Sequence, residues 1–82
     1  YPRHELALYA LGLTYMDLKR YDEAVQALQK ALAVNPTSAD AHYQLGLCYR
    51  AQGDNTRAAQ ELHTALRYNP QLEAAAKALS ER

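Results

Sequence analysis

Three histidines, one cysteine and nine carboxylates are the side chains of this 82-residue chain that could carry catalytic or metal chemistry. Their spacing does not suit it. His4, His42 and His63 have no histidine or cysteine three or four residues on, the interval that puts two metal ligands on one helix face. Cys48 lies one residue before Tyr49 with no histidine at a spacing that would activate it, and reads as a small buried thiol. His42 reads as a packed or solvent-edge ring, His63 as a surface one. The neighbouring acids Asp22 and Glu23 fall at an expected helix start, where capping and the helix dipole account for them. The three glycines, at 12, 46 and 53, are too dispersed for a phosphate-cradling loop. No catalytic, cofactor or metal constellation emerges, so the chain does not read as an enzyme.

The tyrosines carry more. There are seven, with no phenylalanine or tryptophan, so every aromatic ring brings a hydroxyl. Tyr9 and Tyr43 are thirty-four residues apart, and so are Tyr15 and Tyr49. That interval runs through the whole sequence. Aligning 5–38 with 39–72 repeats Ala7, Tyr9, Leu11, Gly12, Leu13, Tyr15, Ala24, Gln26, Leu28, Ala31, Leu32, Asn35 and Pro36 without a gap. Thirteen identities in thirty-four positions, both prolines included, mark a stacked-repeat architecture.

The elements that must position these residues are helical. Leu8, Leu11 and Tyr15 share a face of a first helix predicted over Arg3–Leu18, and Gly12 inside it suits a close crossing by another helix. A turn at 19–21 leads to a second helix over Asp22–Val34, capped by Asp22, with Ala24, Leu28, Ala31 and Leu32 inward. Asn35-Pro36 ends it, since the residue before proline avoids helical dihedrals. A capping box of Thr37 and Asp40 then opens a third helix running to Gln52, with Gly53 in the left-handed terminating position. Asp54 or Asn55 caps a fourth helix ending at Tyr68, and Asn69-Pro70 opens a fifth over Pro70–Ser80. Short loops make neighbours antiparallel, and no alternating strand pattern occurs. The chain is all-α.

Composition narrows function by exclusion. Nine basic residues balance nine acidic ones and are scattered, which leaves no footprint for nucleic acid or an anionic membrane. Leu6–Met16 is uncharged, but its eleven residues are about half the ~20 that span a bilayer, and it reads as a buried helix packed on more than one side. A single cysteine accords with a reducing compartment such as the cytoplasm and does not exclude the periplasm. Tyr1-Pro2 stands where Asn35-Pro36 and Asn69-Pro70 stand one and two periods later. With no initiator methionine, the chain is expected to be a piece of a longer protein.

The run Leu-Gly-x-x-Tyr, then Ala, Leu, Ala and Pro, at 11–36 and again at 45–70, resembles the tetratricopeptide repeat, a 34-residue helix–turn–helix unit. Leu8 and His42 depart from its usual aromatic, Lys19 replaces its turn glycine, and Ser80 stands where a third unit would have glycine. The resemblance implies an α–α superhelix, or solenoid. Residues 1–4 would be the tail of a preceding unit, 5–38 and 39–72 two repeats, and 73–82 the rest of a C-terminal capping helix. It also implies a concave groove formed by the first helix of each unit. Its residues would be Leu6, Tyr9, Ala10, Leu13, Met16 and Asp17, then Asp40, Tyr43, Gln44, Leu47, Arg50 and Ala51, then Ala74, Lys77 and Ala78. Such a groove receives a peptide or helix of a partner protein, with the tyrosines as anchors and Arg50 as a donor to a partner carboxylate or carbonyl. The lysines, arginine and asparagines by which one branch of the family grips acidic chaperone tails are replaced here by Tyr9, Leu13, Gln44, Ala74 and Ala78, so none of the clamp's cations remains. Three other roles stay open: a spacer in a repeat array, a self-association element forming a homo-oligomer, and a regulatory segment of an enzyme lying outside these residues.

Overall fold

The computed structural model describes residues 2–81, so the expectation at Tyr1 lies outside it. Five helices follow one another: α1 (Pro2–Asp17), α2 (Tyr21–Val34), α3 (Ala39–Ala51), α4 (Asn55–Tyr68) and α5 (Glu73–Ser80). No strand occurs among the described residues. α1 pairs with α2 and α3 with α4, α3 lies on α2, α5 lies on α4, and α1 also touches α3. This is an all-α solenoid of two helical hairpins with a short fifth helix at its end.

The hairpins close around two leucines. Leu28 and Leu62 are fully buried, each flanked by buried alanines one turn away, Ala24 and Ala31 or Ala58 and Ala65. Each leucine presses on the glycine of the opposite helix. A Cβ on Gly12 would lie 2.8 Å from Leu28 Cγ, and one on Gly46 would lie 3.0 Å from Leu62 Cγ and 3.2 Å from the Ala58 carbonyl oxygen. The close crossing inferred from the mid-helix glycines is therefore present in both units.

The turns inside the two hairpins match. Gly53 has φ +84° and Lys19 φ +60°, and the amide after each donates back to the tyrosine carbonyl, Asp54 N to Tyr49 O and Arg20 N to Tyr15 O. Asp54 caps α4 by accepting from the Arg57 amide at 3.1 Å.

Three local expectations are corrected. Asp22 does not cap α2. The left-handed Lys19 tightens the turn so that the helix starts at Tyr21, and Asp22 falls in its first turn, accepting from the Gln52 side chain. At α3, Ser38 accepts from the Ala41 amide, while the neighbouring Thr37 hydroxyl donates instead to Asn35 Oδ1, so there is no Thr37–Asp40 box. α5 starts at Glu73, not Pro70, because Asn69 closes a turn around the proline with its carbonyl to Leu72 N and its Oδ1 to Gln71 N.

α1 departs from its expected packing on several sides. Ala7, Leu11 and Thr14 are exposed, whereas Ala41, Leu45 and Cys48, one period on, are buried. α2 covers that face of α3, and no described helix covers it on α1.

Candidate peptide-binding face

The face in question is built from the sides of α1 and α3 where those two first helices meet. Stacking one hairpin on the next brings position 9 beside position 43, as the period requires. Tyr9 and Tyr43 are both half-buried, which leaves part of each ring open. Burial raises the Tyr9 phenol above its ordinary value, the polar Gln44 side chain pulls the other way, and the charges of Asp40 and Tyr43 add to the rise. Asp40 is exposed, Gln44 half-buried.

A second group gathers further along. Tyr43 and Leu47 pack against a cluster of Leu62, Ala65, Ala75 and Ala78, so the expected groove residues of α3 are partly covered by α5. Arg50, expected to offer its guanidinium to a partner, donates Nη2 to the Ala78 carbonyl in the last turn of α5. That internal acceptor was not readable from the sequence, because it comes from a helix twenty-eight residues away. Lys77 is exposed on α5. Leu13 is half-buried, and Met16, also half-buried, packs with Tyr9 against the core around Leu28 and Leu45.

The residues weighed for chemistry are placed as follows. His42 bridges Glu61, at 2.8 Å from Nδ1, and the Pro36 carbonyl, at 3.0 Å from Nε2, while its ring stacks on Tyr68. The packed-histidine reading is right, but its partner Glu61 was missed. The pair is separated by nineteen residues, and no local signal links them. His63 is exposed. Cys48 is buried, and desolvation pushes its thiol up to about 11, away from the thiolate a nucleophile needs. Tyr49 receives a hydrogen bond from Gln29 on α2 at 3.3 Å, and the Arg57 guanidinium lies over its ring, which fits the structural role expected of it.

Comparison with known proteins accords with this geometry. The tetratricopeptide repeat family profile matches residues 9–73. Human protein IFIT1 homolog B is 58% identical over 31 residues, 38% of this chain and 6% of its own length. FK506-binding protein 5 of Rhizopus delemar is 39% identical over 44 residues, 54% of this chain and 11% of its own. Cellulose synthase 2 operon protein C of Komagataeibacter xylinus is 36% identical over 67 residues, 74% of this chain and 5% of its own. The chain therefore spans a small part of each of these relatives. The crystal structure of MamA superimposes with a TM-score of 0.85 at 32% identity, over 87% of this chain and 42% of MamA.

Proposed function

Because this chain belongs to the tetratricopeptide repeat family, whose repeats generally mediate protein–protein interaction, we propose that it is a binding module that holds a peptide or helix of a partner protein on the face shared by α1, α3 and α5. The observation that carries this reading is the contact of α1 with α3, which sets the half-buried Tyr9 and Tyr43 of successive repeats on adjoining helices. Two half-open aromatic rings and a short row of polar groups suit a segment that is partly apolar and partly hydrogen-bonding. The family's members are typically non-enzymatic scaffolds. The test compares two variants, each first checked by circular dichroism to be folded. Tyr43→Ala weakens a bound partner by about 2 kcal/mol, as loss of an aromatic anchor does, while Gln60→Ala on exposed α4 surface changes nothing. Equal affinities would move the binding site elsewhere.

A second reading is favoured by one observation. Ala7 and Thr14 are exposed and Leu11 is 43% exposed along one face of α1, whereas Leu45, the period-mate of Leu11, is 2% exposed. Burying that strip against the same strip of a second copy would remove apolar surface from water at ~25 cal/mol per Å². Sedimentation at millimolar concentration is expected to show dimers, and Leu11→Lys to remove them. A strictly monomeric profile would discard the reading.

A further inference from the structure

Four residues stand in single file on the uncovered side of α1. Ala7, Leu11, Thr14 and Leu18 are spaced four, three and four residues apart, the interval of a coiled-coil strip. All four are exposed, Leu18 at 60%. Leu18 lies just past α1, but its amide still bonds to the Thr14 carbonyl, so it keeps the helical register. The Thr14 hydroxyl donates to the Ala10 carbonyl at 3.0 Å and needs no outside partner. One period on, Ala41, Leu45 and Cys48 are buried beneath α2, and Gln52 donates to Asp22 of that helix. The strip therefore ends in a polar residue on α3 and in an apolar one on α1. A helix of α2's own pattern would set a carboxylate against Leu18, a poor match.

Beside the strip lies a cavity of about 120 Å³ between α1 and α2. The two helices run antiparallel, so Tyr15 and Glu23 line its end near the hairpin turn, and Leu8 and Lys30 line the other. Glu23 pairs with Arg20 in an exposed contact, and Lys30 enters none of the ion pairs among the described residues.

We propose that this strip pairs with the same strip of a second copy, the two α1 helices lying antiparallel about a two-fold axis between Leu11 and Thr14. The inference rests on the second reading above and gives it a register. Leu11 of each copy meets Thr14 of the other, and Ala7 meets Leu18. Every contact then joins a larger side chain to a smaller one, as close helix packing needs. A parallel pair would crowd Leu18 on Leu18 and leave a gap between the two Ala7 residues. Leu8 and Tyr15, half-buried at the edge of the strip, widen the apolar contact. The same two-fold carries the Lys30 end of one cavity toward the Glu23 end of the other, so the flanking charges attract twice.

The test oxidises a mixture of two single-cysteine chains, Ala7→Cys and Leu18→Cys, each made with Cys48→Ala. The mixture is expected to give a disulfide-linked pair that neither chain gives alone. Leu18→Gln restores the residue of the second repeat at an exposed site, and should weaken dimerisation in sedimentation by roughly tenfold or more. Lys30→Glu should weaken it about tenfold, because it turns two attractions into repulsions. Circular dichroism checks that each variant is folded. Dimers that fail to link in the mixture, that link Ala7→Cys chains to one another, or that ignore Leu18→Gln would overturn the antiparallel pairing and leave the dimer standing. A parent chain that stays monomeric at millimolar concentration would remove both.

Discussion

A methyl group at Gly46 would meet both a leucine side chain and a backbone carbonyl, and only the first can yield. Gly46→Leu is therefore expected to cost about 3 kcal/mol, at the upper end of overpacking penalties, and to lower the melting temperature by more than ten degrees. Melting within a degree or two of the parent would refute the close crossing. Cys48 gives a residue-scale prediction of another kind. Its thiol ionises near its ordinary value of 9.0 when exposed and burial pushes it up to about 11 in the fold, so its contribution is intact below pH 9 and lost as pH rises toward 11. Wild type should lose stability relative to Cys48→Ala across that window, by an amount on the order of 2 kcal/mol. Parallel pH profiles by thermal denaturation would refute it. Both residues were legible in the sequence, the glycine from its cost in mid-helix and the cysteine from its isolation. Arg50 was not, because its role is decided by where α5 comes to rest.

At the scale of the element, the two hairpin turns set a natural experiment. Both use a left-handed residue, but one is glycine and the other is lysine. A side chain there costs roughly 1–2 kcal/mol, so Lys19→Gly should stabilise the chain by about 1 kcal/mol, read as a rise in urea midpoint at unchanged slope. No change would mean that the Lys19 side chain makes a compensating contact. The existence and order of the helices were written in the thirty-four-residue period, since each unit must bury the same leucine, alanine and glycine. Their caps were harder to read. Thr37 and Ser38 are adjacent hydroxyls, and only the geometry of the turn decides that Ser38 takes the Ala41 amide and Thr37 the Asn35 side chain. At Pro70 the missing N–H permitted a helix start, but the Asn69 side chain favoured a turn.

For the whole molecule, the proposed face predicts selectivity against acidic tails. The only cation of the expected groove with no partner among the described residues is Lys77, and Asp40 in the first turn of α3 repels carboxylates. An acidic chaperone-tail peptide should show no binding at micromolar concentration in calorimetry, and a micromolar affinity would refute the charge reading. That Tyr9 and Tyr43 fall on helices that touch, α1 and α3, was legible from the period alone. The covering of Tyr43 and Leu47 by α5 was not, because the sequence of an eight-residue helix does not say how far it folds over its neighbour.

The uncovered strip on α1 has a consequence for growth. α1 and α5 are unlike: α1 exposes Ala7, Leu11 and Thr14 on one face, whereas α5 exposes Glu73, Lys77 and Ser80 beside the small Ala74 and Ala76. Association through α1 alone is isologous, so it uses up its own adhesive surface and closes at two copies. Filaments need a head that fits a tail, and α5 offers no apolar strip to serve as one. Raising the concentration should fill a dimer population and then stop, with the distribution of masses levelling off where an open-ended assembler would keep lengthening.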